Sequence, residues 1–402
     1  MKILVICQYY CPEPVRITDI CEELVKQGNE VTVLTGIPNY PMGVIYNEYR
    51  HGKRKKEIIN GVKIIRSFTI GRRTGAFWRI LNYFSYAISA SLNVGRLGAG
   101  YDVVFVNQMS PVMMAWPGIR YKKKYKKKLV IYCMDLWPES LEAGKIKKGS
   151  LVYKLFHFIS EKIYKQADKL LVTSRNFNKY FKEEFGMKSE EIIYLPQYAE
   201  ELFSNIELDD KNTEKKKGDE YNFVFAGNVG KAQSVETIIE AANLLKAKEN
   251  IKFHIVGDGS SLEHCKKLAQ KYELESVIFH GRKPVEDMPK YYALADAMLI
   301  TMFDNNMISK TLPGKVQTYM AAGKPIIGSI NGETMRVINE AECGICCEAE
   351  SPKGLSECVL KFVDSFEKIR FAERARSYYK CNFTKDKFMK DLQKYLSITC
   401  VE

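Results

Sequence analysis

The stretch TLPGKVQTYMAAGKPIIG, Thr311 to Gly328, carries its own punctuation. Pro313 and Gly314 break the chain, Lys315 to Ala322 can run as a helix, Gly323 stops that helix and Pro325 prevents its resumption. Pro325-Ile326-Ile327-Gly328 then starts a buried strand. A loop, a short helix, a turn and a strand in that order are one period of a β/α repeat. The helix start carries Gly314 and Lys315, and free backbone N–H groups and the positive end of a helix dipole make such a start a ready anion site.

The same alternation extends in both directions. Upstream it gives a strand at Tyr221–Ala226, the loop GNVGKAQS, a helix at Val235–Leu245, a strand at Ile251–Val256 and the loop GDGS. A helix at Ser261–Tyr272, a strand at Val277–His280, a helix at Met288–Leu294 and a strand at Asp296–Thr301 follow. Two helices, over 353–366 and 370–395, close the chain. The first half repeats the theme with apolar strands at 2–7, 30–35, 62–66, 102–107, 129–133, 167–174 and 192–195, and with helices between most of them. The fold class read from this is α/β, two Rossmann-like doubly wound domains in tandem, facing each other across a cleft between their carboxyl edges. The expected domains are 1–200, 201–380, and a final helix over 381–402 that packs back on the first domain. The polar run at 204–220 reads as the linker or a surface loop.

Length agrees, because 402 residues exceed one ordinary core. Charge is uneven. Residues 1–200 hold 32 Lys and Arg against 18 Asp and Glu, whereas 201–402 hold 29 against 30. The positive field therefore belongs to the first half, and an anionic membrane surface fits it. Nucleic acid is not expected as a partner, since the basic runs come without a recognition module. No window approaches 18 uninterrupted apolar residues, and the N-terminus reads directly as a strand rather than a secretory signal. Eleven cysteines in that context suggest reduced thiols in the cytoplasm. Cys343, Cys346 and Cys347 lack a second pair at metal spacing, so they read as buried or strand cysteines and no metal is expected.

Loops after parallel strands form the ligand edge of such sheets. In the second half they bring Gly227, Asn228, Lys231 and Gln233, then Gly257, Asp258 and Gly259, then Arg282 and Lys283, and finally Pro313, Gly314, Lys315 and Gln317. Glycines with lysines at one edge describe a site for a nucleoside diphosphate, with Lys231 and Lys315 balancing the phosphate charge. In the first half, Glu13 follows the first strand, and Asp135 and Glu139 follow the strand at 129–133 in MDLWPES. One of these carboxylates is the expected acid–base group. Arg72 and Arg73 precede a segment, Phe77 to Leu97, that is apolar on most of its circumference and includes Trp78 and Phe84. It reads either as a packed core helix or as an interfacial helix with its arginines at lipid head groups. The run KKKYKKK at 122–128 reads as a solvated helix end or as part of the same basic face.

Taken in order, YYCPEPVR, VTVLTGIPNYPMG, DLWPES, LPQYAEELF, FAGNVGKAQSVETIIEAA, IVGDGS, FHGRKP and PGKVQTYMAAGKPIIG resemble the glycosyltransferases of family 4, across nearly the whole chain. The resemblance implies the GT-B fold and a nucleotide-sugar donor, with UDP expected, on the second domain. It also implies an acceptor on the first domain and retention of anomeric configuration without a bound metal. DLWPES, GNVGKAQ and PGKVQTYMAAGKP look most like the subgroup that builds O-antigen, capsule and colanic acid from N-acetylated amino sugars. A polyprenyl-diphosphate-linked saccharide is then the expected acceptor, and the inner face of the plasma membrane the expected place of work.

The sequence also departs from that family. Lys310 and Thr318 stand where two glutamates are usual, Asn228 and Gln233 where an arginine and a lysine are usual, and Met134 where a histidine is usual. With those groups changed, Lys231 and Lys315 are expected to hold the phosphates, and Gln317, Lys310 and the loop FDNNMISK at 303–310 the sugar. A binding or scaffold subunit of the same shape, and a sugar-nucleotide epimerase, are the competing readings. Transfer follows from closure of the two domains, which would hold the acceptor close and exclude water.

Overall fold

The computed structural model describes residues 1–144, 146–204, 206 and 219–401, so most of the expected linker at 204–220 lies outside the described residues. The chain divides into two compact units. Unit 1 comprises Met1–Leu195 with Met389–Glu402, and unit 2 comprises Pro196–Phe388.

Unit 1 contains β1 (Lys2–Ile6), α1 (Ile17–Lys26), β2 (Glu30–Thr35), β3 (Lys56–Ile59), β4 (Val62–Arg66) and α2 (Ala76–Asn93). Next come β5 (Val103–Gln108), α3 (Trp116–Tyr125), β6 (Lys128–Cys133), α4 (Leu151–Tyr164), β7 (Lys169–Val172), α5 (Arg175–Phe185) and β8 (Ile192–Tyr194). Its sheet has the order β3-β4-β2-β1-β5-β6-β7-β8. All neighbours are parallel except β3, which pairs antiparallel with β4. This hairpin was not anticipated. Its signal is Asn60-Gly61, both at positive φ, which is the tight turn that joins two antiparallel strands. The charged run before it masks the alternation.

Unit 2 contains α6 (Glu201–Ser204), β9 (Tyr221–Ala226), α7 (Glu236–Leu244), β10 (Ile251–Val256), α8 (Leu262–Lys271), β11 (Val277–Gly281), α9 (Met288–Leu294) and β12 (Ala297–Thr301). It continues with α10 (Gly314–Ala321), β13 (Ile326–Ser329), α11 (Gly332–Glu340), β14 (Gly344–Cys347), α12 (Pro352–Asp364) and α13 (Lys368–Asn382). Last is α14 (Lys385–Val401), whose residues from Met389 on belong to unit 1. The sheet order is β11-β10-β9-β12-β13-β14, all parallel. The opening stretch folds as read, with α10 ending before Gly323 and β13 beginning after Pro325. α11 and β14 were not anticipated, and the helix expected over 370–395 breaks at Phe383 and Thr384 into α13 and α14.

Period-two alternation decides where the core of unit 2 sits. Along β9, Tyr221, Phe223 and Phe225 face one layer with Ile238 and Ile239 of α7 and Leu355 and Val359 of α12. Val224 and Ala226 face the other layer with Tyr292 of α9 and Val316, Tyr319 and Met320 of α10. Each large apolar side chain fully removed from water contributes about 1.5–3 kcal/mol, which fixes the strand register. With the register fixed, the carboxyl ends of β9, β10, β11 and β12 lie along one edge. In both sheets the strand order reverses beside the central strand, between β1 and β5 and between β9 and β12. A doubly wound sheet opens a crevice at such a point.

Candidate active site

In unit 2, the loops after β9, β10 and β11 enclose a cavity of about 720 Å³. Gly227 and Asn228, then Gly257, Asp258 and Gly259, then Arg282 and Lys283 line it together. Ala226 and Val256 at the strand ends line it too, and Val285, Met288 and Tyr292 add to it from α9 and just before it. No sequence signal singled those three out, because their contribution depends on how α9 lies on the sheet.

The glycines serve a purpose different from the one expected. The loops after β9 and β10 cross each other at backbone distance. Gly257 has φ +147°, and a Cβ placed there would lie 1.8 Å from the carbonyl oxygen of Gly227. The crossing is sewn by Gly227 N–H to Val256 O, Val229 N–H to Asp258 O and Ser261 N–H to Val229 O, each 2.9 Å. What these glycines admit is the neighbouring loop. Gly227 does one thing more, since a Cβ there would meet Lys315 Nζ at 3.1 Å. The lysine at the start of α10 therefore reaches beneath the first glycine of the loop.

Part of Lys315 is exposed, but its Nζ is buried and has no hydrogen-bond partner. It lies 4.2 Å from the centre of the Phe225 ring. Burial lowers its pKa to about 7.

Lys315 and the remaining residues of the expected donor set lie outside the lining of this cavity. Lys231 is exposed, with Nζ 5.5 Å over the Phe303 ring. Gln233 accepts from Asn228 Nδ2 at 3.1 Å, and its carbonyl accepts from the Thr301 hydroxyl, so it pins the loop. Pro313 and Gly314 begin α10, and Lys310 is half-buried in the turn before it. Gln317 corrects an expectation. It is fully buried, and with its amide oriented to satisfy its neighbours the nitrogen donates to Pro313 O at 2.8 Å and Gly314 O at 3.2 Å. Thr318 likewise donates to Gly314 O at 3.0 Å. Both side chains close the first turn of α10, so Gln317 is not available to hold a sugar.

In unit 1 the three expected carboxylates separate. Glu13 is buried and accepts from the backbone N–H of Asn39 and Tyr40 at 2.7 Å and of Tyr10 at 3.0 Å. Burial pushes its pKa up to about 7 against those three donors. Glu139 is buried, accepts from the Tyr153 hydroxyl, and lies 3.6 Å from Lys148 Nζ. These two acids hold loops together, which corrects the expectation that either faces a substrate.

Asp135 differs. It is half-buried at the carboxyl end of β6, and its Oδ2 accepts from the backbone N–H of Ser110 at 3.2 Å and from the Ser110 hydroxyl at 3.0 Å. Trp137 Nε1 donates to that hydroxyl at 2.8 Å and so orients it. Burial raises the Asp135 pKa and the two Ser110 bonds oppose it. Gln8, Asn82 and Asn39 form a buried amide chain at the end of β1, with Gln8 Nε2 to Asn82 Oδ1 at 2.8 Å and Asn82 Nδ2 to Asn39 Oδ1 at 3.2 Å. Ser110 and this chain were missed, since single polar residues give no periodic signal. Among the described residues, no three His, Cys, Asp or Glu side chains are grouped to hold a metal ion.

The helix at 76–93 sorts its aromatics unlike the expectation. Phe84 packs against Trp116 at 6.0 Å, and Trp78 is half-buried under the Arg73 guanidinium at 4.2 Å. Arg72 is half-buried, its backbone N–H donating to Asn39 Oδ1. The exposed apolar residues of α2 are Phe77, Ile80, Ile88 and Leu92. α4 adds Leu151, Val152, Leu155 and Phe158, a second exposed apolar face that the sequence reading passed over. In the lysine run, Lys122 is tied to Asp168 at 2.6 Å. Among the described residues no helix is long and apolar enough to cross a membrane.

Comparison with known proteins agrees with this division. Residues 14–197 match the model of Glycosyltransferase Family 4, and residues 207–378 match that of Glycosyl transferases group 1. The chain is 30% identical to the probable glycosyltransferase WbjE of Pseudomonas aeruginosa over 255 residues, which span 62% of each chain. It is 24% identical to the putative colanic acid biosynthesis glycosyl transferase WcaI of Escherichia coli K12, across 89% of this chain and 88% of that protein. Among solved structures, Anabaena Alr3699/HepE in complex with UDP superposes with a TM-score of 0.73 at 13% identity, covering 99% of this chain and 100% of that one.

Proposed function

This chain belongs to the family 4, group 1 glycosyltransferases of GT-B fold, and from that premise we propose that unit 2 binds the diphosphate of a UDP-sugar and unit 1 a lipid-linked saccharide acceptor. The observation that carries the reading is Lys315. A buried, unpaired amine costs several kcal/mol in hydrogen bonding and solvation unless an anion arrives. This one lies under Gly227, a residue that lines a cavity large enough for a nucleotide. Arg282 and Lys283 on the opposite loop add positive charge.

In this reading the bond from the anomeric carbon to the diphosphate breaks while a bond from an acceptor hydroxyl oxygen to that carbon forms, with retention of configuration. Negative charge grows on the leaving diphosphate, where Lys315 and the α10 start stabilise it. Asp135, held by Ser110, takes the acceptor hydroxyl proton. No step calls on a metal. Similarity to WcaI, a putative colanic acid biosynthesis glycosyl transferase, supports a surface polysaccharide such as O-antigen, capsule or colanic acid as the product. The replacement of the usual glutamates by Lys310 and Thr318 fits a donor without the usual free hydroxyls, such as an N-acetylated deoxy amino sugar. The exposed apolar faces of α2 and α4, in the basic half of the chain, fit peripheral binding to the inner face of the plasma membrane.

Thermal shift with a panel of nucleoside diphosphates and nucleotide sugars tests the donor half. A ligand at a hundredfold its Kd stabilises its unit by about 2.7 kcal/mol, and UDP-linked amino sugars should do so. A panel in which no nucleoside diphosphate raises the melting temperature would sink the proposal. Flotation with anionic liposomes tests the membrane half separately, and Ile80→Asp should abolish it.

A further inference from the structure

Unit 1 contains a second cavity, of about 580 Å³, that no step above uses. It lies past the carboxyl ends of β2 and β4, against the last turns of α2. Ile37, Ile65, Phe68 and Leu92 give it an apolar wall. Lys55, Lys56, Arg66 and Arg96 give it cations, and none of the described residues lining it is acidic. The volume falls within the range of small-molecule sites, roughly 300–1,000 Å³.

Arg66 makes this more than a basic crease. Its side chain is buried between Glu57 and Tyr49. Nε donates to Glu57 Oε1 at 3.0 Å, NH2 donates to the same oxygen and to Cys11 O at 2.7 Å, and the guanidinium lies 4.6 Å over the Tyr49 ring. Its NH1 is buried with no hydrogen-bond partner. A charged donor left unmade in the interior is costly, and an incoming acceptor oxygen would satisfy it. The mouth is apolar. Phe68 and Leu92 are each 62% exposed. Leu92 lies one helical turn from exposed Ile88, so the wall runs on into the free face of α2.

We propose that this cavity binds the anionic head of an amphiphile, a phosphate or diphosphate on an apolar stem, with the head toward Arg66, Lys55 and Arg96 and the stem leaving past Phe68 and Leu92. Cations alone would suit any soluble phosphate. The apolar wall and its continuity with α2 select one that carries a hydrocarbon chain. The inference rests on the reading of unit 1 as the lipid-facing half, and it gives the head group of a lipid-linked acceptor, or of a bilayer lipid, a defined seat.

The test uses the full chain, without donor or membrane. Calorimetric titration compares geranyl phosphate below its micellar concentration, inorganic phosphate and geraniol. Geranyl phosphate should bind one to one and at least tenfold more tightly than either of the others. Lys55→Ala and Arg96→Ala, both exposed positions, should each weaken it several-fold, and Leu92→Glu at least tenfold, with unchanged melting curves. Ile80→Ser, on α2 but outside the cavity, should leave it unchanged. Absence of binding, equal affinity for inorganic phosphate, or binding that none of the cavity variants moves would overturn the assignment. UDP titration of the same variants reads the donor site independently, so failure here and failure of the donor reading are separable. Short-chain phosphatidic acid against geranyl diphosphate then distinguishes a bilayer lipid from a polyprenyl carrier.

Discussion

At the ligand edge of unit 2 an ammonium group is buried without a hydrogen-bond partner, whereas at the ligand edge of unit 1 the buried Glu13 carboxylate has both oxygens engaged. Lys315 Nζ lies beneath Gly227 and beside the Phe225 ring with no hydrogen-bond partner, while Glu13 holds three backbone N–H groups. Glu139 accepts from the Tyr153 hydroxyl through one oxygen, and its other oxygen faces Lys148 Nζ at 3.6 Å without a hydrogen bond. Both edges belong to doubly wound sheets and both are rich in polar residues. A group whose hydrogen bonds are complete within the protein serves the fold. One left incomplete, at a cost of several kcal/mol, marks where a ligand completes it. By that criterion Asp135 stands between the two, since Ser110 engages only Oδ2.

The sharpest way to break the comparison is to remove the one carboxylate assigned to chemistry. Asp135→Asn should lower kcat by about 10²–10⁴, the usual contribution of a general base, with UDP affinity and melting temperature unchanged. If kcat falls less than tenfold while unit 1 loses stability, Asp135 belongs with Glu13 and the distinction between the two kinds of carboxylate fails. Glu13→Ala is the complement. It removes the acceptor of three backbone donors at a cost of about 1–3 kcal/mol each where they stay buried, so unit 1 should lose roughly 3 kcal/mol or more. At about 2–4 °C per kcal/mol for a unit of this size, that is a shift of roughly 6–12 °C by calorimetry. UDP binding should persist, and a variant that melts like the parent would show that Glu13 braces nothing.

Lys315→Met should separate stability from function. An apolar side chain of similar length removes a buried amine that the fold does not need, so the melting temperature should hold or rise. UDP affinity should fall by about ten- to a hundredfold, as expected for loss of one charge-assisted contact of roughly 1.5–3 kcal/mol. Affinity that survives the substitution would mean that Arg282 and Lys283 carry the phosphate alone.

The difference between the edges also explains what was legible in the sequence. The repeat of β and α, the strand registers and the clustering of Gly227, Gly257 and Arg282 follow from periodicity and topology, which are local properties summed along the chain. The β3–β4 hairpin was available in Asn60-Gly61 but hidden beneath the Lys53–Lys56 run. What local pattern cannot carry is which polar groups already have partners. Glu13, Asp135 and Gln317 look alike as polar residues in loops or at a helix start. They are told apart only by Asn39, Ser110 and Gly314, and for the first two the partner lies 25 or more positions away. Exposure has the same limit, since the sequence left the segment from Phe77 open between a packed core helix and an interfacial one, and the structure covers Phe84 and part of Trp78 while exposing Phe77, Ile80, Ile88 and Leu92.

The smallest expected effect is the dependence of UDP affinity on pH, and it tests whether Lys315 is left incomplete in the free protein. Burial lowers its pKa to about 7, whereas an unfolded lysine keeps its proton to about 10.4. Between those values the unfolded chain binds the extra proton, so the stability of the free unit should rise with pH across that window. Diphosphate favours the charged form, so binding above pH 7 must take up a proton and weaken as pH rises. Between pH 7 and 8 the charged fraction falls from about one half to one tenth, an affinity loss of about fivefold. A terminal phosphate ionises near pH ~6 and is already charged there, so the ligand does not contribute. Titration in two buffers of different ionisation enthalpy should detect the proton uptake directly, and Lys315→Met should show a flat profile. If the parent profile is flat as well, the ammonium is charged before the ligand arrives, a partner for it exists in the fold, and Lys315 moves to the side of Glu13.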